Sequence, residues 1–199
     1  MKKLPLVALA AAFALVSSCK NNNQENAEPD TPNADMITED NMMQEATPAV
    51  KKITTMLSAK SGSDVTGEVV FIEENGEVVM TTNITGLTPG MHAIHLHETA
   101  DCSADDGTSS GGHWNPTGQK HGKWGDEAGY HKGDIGNLEA DEQGNASLTF
   151  RTNEWCIGCG DPAKDIIGKA VIVHQGVDDF KTQPTGDAGA RVSCAGVIE

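Results

Sequence analysis

From Lys51 onward, β-branched and apolar residues come in short runs separated by turn formers. The first four runs cover residues 52–60, 66–73, 77–84 and 91–97. Between them stand Ser61-Gly62-Ser63, Asn75-Gly76 and Thr88-Pro89-Gly90. Residues 134–140, 146–152, 169–174 and 191–198 form four more, with Gln143-Gly144-Asn145 between the first two. Both residues of Asn75-Gly76 tolerate positive φ, which makes the pair a strong hairpin signal. Eight short strands with such turns predict an all-β fold, an eight-stranded antiparallel sandwich or barrel. Residues 98–132 show no apolar period. A loop of that length in a compact domain is expected only where it is functional or tied down. This one carries its own candidate ties in His113, His121, His131 and Cys102.

The N-terminal quarter follows another pattern. Met1-Lys2-Lys3 precedes an apolar run over residues 4–16. That run is shorter than the about 20 residues of a bilayer span and suits a signal sequence. Val16-Ser17-Ser18-Cys19 follows at once and resembles a bacterial lipobox, in which Cys19 is lipidated and becomes the new N-terminus. Residues 1–18 are therefore read as a signal peptide. Residues 20–50 carry seven acids against Lys20 alone, with no aromatic residue. Such a stretch buries too little apolar surface to offset its ordering entropy, so residues 19–50 are read as a lipidated cysteine and a disordered acidic tether. Residues 51–199 are the folded domain. The expected location is an exported bacterial lipoprotein, on a membrane facing the periplasm or at the cell surface.

Charge narrows the function. The chain has 29 acidic and 14 basic residues, a formal net charge of -15. That argues against a nucleic-acid partner, which needs a basic face. A P-loop is also excluded, because Gly168-Lys169 would need glycine where Ala163 stands.

Histidine placement carries the chemistry. His95 and His97 alternate with Ile94 and Leu96, so in a strand the two rings share one face, outside the barrel wall. They are spaced to chelate one ion. His174 ends another strand. His113, His121, His131 and Asp134 are spaced to fold around a second ion, and three imidazoles with one carboxylate suit Zn²⁺. Imidazoles in a flatter set, open on one side, suit Cu²⁺. His92 shares the parity of Ile94 and Leu96 and reads as a structural histidine.

Six segments make the pattern specific: Gly90-Met-His-Ala-Ile-His95-Leu-His97-Glu, Gly112-His113-Trp-Asn-Pro116, Lys120-His121-Gly122, His131-Lys-Gly-Asp134-Ile-Gly-Asn137, Val173-His174 and Gly189-Ala-Arg191-Val-Ser-Cys194. In this order they resemble the Cu,Zn superoxide dismutase family, over about residues 52–199. The resemblance implies a Greek-key barrel with two long functional loops, and one copper and one zinc ion per subunit. Copper would be held by His95, His97, His113 and His174. Zinc would be held by His113, His121, His131 and Asp134, so His113 bridges. It further implies dismutation of superoxide to dioxygen and hydrogen peroxide by Cu(II)/Cu(I) cycling, with His113 as proton donor. Arg191 would orient the anion, and Asp178 would accept hydrogen bonds from His95 and His121. Cys102 and Cys194 would form a disulfide. A homodimer is compatible with the resemblance, although the scattered Val50, Trp155 and Ile198 define no interface.

Two departures stand out. Cys156-Ile-Gly-Cys159 has no place in the family pattern and reads as a local disulfide, a free dithiol or a soft Cu(I) site. Residues 178–190 are short for the family's charged guiding loop, and only Lys181 is basic there. Lys120, Lys123 and Lys132 are the candidates to supply the missing field. The rival readings are a metal-buffering lipoprotein and a structural surface domain.

Overall fold

The computed structural model describes residues 50–199. The signal peptide, Cys19 and the tether up to residue 49 lie outside the described residues. Eight strands follow one another: β1 Lys51–Ala59, β2 Thr66–Glu74, β3 Glu77–Thr85, β4 Gly90–His97, β5 Gly136–Ala140, β6 Ala146–Thr152, β7 Ala170–His174 and β8 Arg191–Gly196. The helical content among the described residues is one 3₁₀ turn, Thr108–Ser110. All ladders are antiparallel, in the order β5-β4-β7-β8-β1-β2-β3-β6. The outer strands β5 and β6 lie side by side without a hydrogen-bonded ladder, so the sheet curls into a nearly closed barrel. β7 returns beside β4 after the chain has passed through β5 and β6, which is the Greek-key return.

Strand alternation fills the barrel. Val78, Met80, Thr82 and Ile84 are the buried positions of β3, two residues apart. Val78, Met80 and Ile84 meet Val69 and Phe71 of β2, Ile94 and Leu96 of β4, and Val171 and Val173 of β7 in one core. Asn75 and Gly76 close the β2–β3 hairpin with φ of 54° and 78°. Trp155, named with Val50 and Ile198 as a scattered apolar residue that defines no interface, belongs to this core. It is 2% exposed, and its ring lies 5.0 Å from Phe150 and 6.4 Å from Phe71. Val50 and Ile198 are exposed.

One strand boundary matters for function. The expected strand over 134–140 begins only at Gly136. Asp134 is diverted because its carboxylate accepts from the backbone amides of His131 (2.8 Å) and Gly122 (3.2 Å), bending the chain before pairing starts.

Candidate metal centre

β4 carries the first two histidines. Ile94 and Leu96 point into the core, and His95 and His97 point to the opposite side of the wall. The expected outside position differs in one respect: both rings are fully buried. The β4–β5 loop covers them. It lies against β4 through Trp114 N–H donating to Leu96 O (2.8 Å), Leu96 N–H to Gly133 O (2.9 Å) and Gly133 N–H to Trp114 O (3.0 Å). Trp114 itself plugs into the core. These bonds bring His113 opposite His97 and His131 back toward it. β7 pairs with β4 and ends at His174, whose ring centroid lies 5.0 Å from that of His95.

Hydrogen bonds assign the nitrogens. A carbonyl oxygen only accepts, so a ring nitrogen facing one carries the proton. His97 Nδ1 faces Gly111 O (2.9 Å), His174 Nδ1 faces Gly189 O (3.3 Å) and His131 Nε2 faces Gln119 O (3.1 Å). Asp178 accepts from His95 Nε2 (2.9 Å) and His121 Nε2 (2.8 Å). In the neutral rings the opposite nitrogens therefore present lone pairs inward. His97 Nε2 and His174 Nε2 stand 3.4 Å apart. His95 Nδ1 and His113 Nε2 are buried with no hydrogen-bond partner, and His121 Nδ1 and His131 Nδ1 face the Asp134 carboxylate at 3.0 and 3.3 Å. Buried lone pairs facing one another are costly unless a cation joins them.

The donor atoms fall into two groups. One comes from His95, His97, His113 and His174, the other from His113, His121, His131 and Asp134. Within each group all atoms lie within 4.8 Å of one another. Four imidazoles could hold copper, and three imidazoles with a carboxylate could hold zinc. His113 belongs to both, with Nδ1 2.8 Å from Asp134 Oδ1 and Nε2 unpartnered toward the other group. The residues present fit both ions.

Burial and charge set the protonation of the metal-free rings. Burial drives the pKa of His113 down to about 4 and that of His174 to about 3, and it holds His97 well below the usual histidine range. Burial also opposes a charged His121, but Asp134 and Asp178 outweigh it and raise that ring to about 9. Asp134 and Asp178 overcome their own burial by bonding to the histidines, and both stay well below the usual carboxylate range.

Asp178 is buried, and its own backbone is clamped. Asp178 N–H donates to Asn137 Oδ1 (2.8 Å) and Asn137 Nδ2 donates to Asp178 O (3.0 Å). Gly186 was not singled out from the sequence. Its φ is +71°, and a Cβ there would overlap Asp178 Oδ1 and come within 2.7 Å of His121 Nε2. A glycine shortly after a candidate bridging acid is the only signal the sequence offers for it.

Arg191 pairs with His174 across the β7–β8 ladder. Its guanidinium donates to Gly107 O (2.8 Å), Ser110 Oγ (3.0 Å) and Gly111 O (2.8 Å). Gly111 O thus accepts from both Arg191 and His97. The cation lies close enough to depress both the His97 and His174 rings.

Cys102 and Cys194 form a disulfide with Cα atoms 5.8 Å apart, tying the β4–β5 loop to β8. Cys156 and Cys159 form a second disulfide. His92 is buried away from both groups, with Nδ1 3.0 Å from His174 O and Nε2 2.8 Å from Thr88 O, as a structural histidine should be. Lys120, Lys123 and Lys181 are exposed. Lys132 is not free to supply a guiding field, because it is paired with Glu154.

The sequence model of the family "Copper/zinc superoxide dismutase (SODC)" matches residues 65–198. A "Superoxide dismutase [Cu-Zn] 2" of Aquifex aeolicus (strain VF5) is 36% identical over 140 residues, 68% of this chain and 80% of that protein. Among solved structures, a SOD-like protein from Bacillus subtilis superposes with a TM-score of 0.65 at 27% identity, over 73% of this chain and 97% of that one. The clock protein EA4 superposes with a TM-score of 0.64 at 32% identity, over 76% and 96%. The fold is a β-barrel with two histidine groups that fit metal ions, and these matches make it an oxidoreductase. The chain belongs to the copper/zinc superoxide dismutase family.

Proposed function

We propose that this protein converts superoxide to dioxygen and hydrogen peroxide, using one copper and one zinc ion per subunit, from a lipid anchor on Cys19. Family membership supports the reaction. The observation that carries it is the convergence of buried ring nitrogens on two groups of donor atoms, with His113 serving both. Copper would be held by His95, His97, His113 and His174, and zinc by His113, His121, His131 and Asp134.

Bound copper supplies a Cu(II)/Cu(I) one-electron couple and bound zinc a fixed positive charge. The chain's residues do the rest. Arg191, held by three acceptors, presents a permanent cation that draws in and orients a small anion. The Nε2 atom of His113 holds a proton after the first superoxide has given up its electron. It passes that proton to the second, and water supplies the other, so the product leaves as hydrogen peroxide. Asp178 keeps the His95 and His121 rings turned so that their Nδ1 atoms face inward.

Reconstitution tests the reading. Metal-stripped protein should be inactive, should take up one copper and one zinc, and should dismutate superoxide once copper is present. Full loading without activity would instead favour a metal buffer. The anchor rests on the leader and Cys19. Mass analysis of the membrane fraction should find a mature chain beginning at lipid-modified Cys19, and a soluble chain with unmodified Cys19 would contradict it.

A further inference from the structure

The segment before β7 holds a third group of metal-binding atoms that the two-metal reading does not use: Cys156 Sγ, Cys159 Sγ and the Asp165 carboxylate, within 4.8 Å of one another. We propose that Cys156 and Cys159 are a reversible redox pair which, when reduced, binds one Cu(I) ion between its two thiolates.

The turn that brings the sulfurs together does not depend on the S–S bond. Asp165 accepts from the amides of Gly158 (2.9 Å), Gly160 (2.8 Å) and Ile167 (3.1 Å). The backbone of Cys156 is bonded on both sides, by its N–H to Lys164 O (2.9 Å) and by Ile166 N–H to its carbonyl (3.1 Å). Ile157 N–H is held by Glu73 (2.8 Å), and Lys51 Nζ donates to Ile157 O (2.5 Å). Both cysteines thus stay at chelating separation after reduction.

Exposure and donor count select the chemistry. Cys159 is exposed and Cys156 buried, so an incoming thiol attacks the Cys159 sulfur first. A dithiol reductant forms its own disulfide, and its two hydrogens pass to Cys156 and Cys159. Cu(I) binding then displaces both protons. Asp165 is spent on three backbone amides, which leaves two thiolates as the free donors. Zinc requires four ligands in a structural site, whereas Cu(I) is selected by soft thiolates. Such a site would hold reduced copper on the same chain that uses copper in its barrel, and this last link rests on the proposed function.

The test uses full-length protein already loaded with copper and zinc. It is reduced with a phosphine, freed of it without oxygen, and titrated with Cu(I) against a coloured chelator. Reduced wild type should bind one equivalent more than the Cys156→Ser/Cys159→Ser variant treated alike, and X-ray absorption should find sulfur around that copper only in wild type. Both proteins carry the same Cys19, Cys102 and Cys194, so copper at those residues cancels. The variant should dismutate superoxide at the wild-type rate. No extra equivalent, an equal extra equivalent in the variant, or preferential binding of Zn(II) would each overturn the proposal. If the barrel proves inactive while the extra equivalent appears, the site stands and the dismutase reading falls.

Discussion

Arg191 is the residue on which substrate handling turns. Its guanidinium is fixed by Gly107, Ser110 and Gly111. Arg191→Ala should keep both metals and lower kcat/KM at least tenfold, about 1.4 kcal/mol or more of transition-state stabilisation. An unchanged rate at equal copper content would remove Arg191 from the mechanism. Gly186 sets a second limit. Gly186→Ala forces Asp178 away from His121, and the loss of such a supporting bond should weaken zinc binding by about 10–100-fold, read by chelator competition. The ligand residues were legible in the sequence because histidine spacing is rare and chemical. Asp178 was legible too, but only by resemblance. Gly186 was not, since its role lies in what a side chain would strike across the fold.

At the scale of elements, β4 and the loop after it work as one unit. Leu96 trades backbone bonds with Trp114 and Gly133, so the loop is an extension of the β4 edge. The Cys102–Cys194 disulfide closes a stretch with a sequence separation of 92, worth roughly 4–5 kcal/mol in the chain-entropy model. Cys102→Ser/Cys194→Ser should lose stability of that order in denaturant unfolding, and its metal-free form should lose protection of the loop amides. A variant as stable as the parent would mean that the loop is held by other contacts alone. The strands themselves were readable from turn residues and β-branched runs. Their ends were not. Asp134 left its strand because its carboxylate captures the amides of His131 and Gly122, a contact that alternation does not encode. The burial of His95 and His97 was likewise hidden, because the cover comes from a loop with no apolar period.

The whole molecule is acidic, yet the inferred substrate is an anion. Seven of the acids precede the barrel in the sequence, and screening over about 8 Å at physiological salt mutes distant surface charge. Lys132 is neutralised by Glu154, so the attraction falls to Arg191, the metals and the exposed lysines. The rate should therefore fall modestly as salt rises, and a rise with salt would mean that the field around the site repels superoxide. Proton balance gives a second global signature. At pH 7 the metal-free chain keeps His113, His174 and His97 neutral, while His121, raised to about 9, is protonated. Zinc binding must expel that proton, so calorimetry in buffers of different ionisation heat should report release of about one proton at pH 7. The release should vanish as pH rises through 9, and its absence at pH 7 would contradict the assignment of His121. Direct observation of superoxide decay at far less copper-loaded protein than superoxide remains the sharpest test. A dismutase clears many superoxide anions for each bound copper, and that turnover is the predicted result. Decay that stops after about one superoxide per copper would mark a copper buffer and contradict the account.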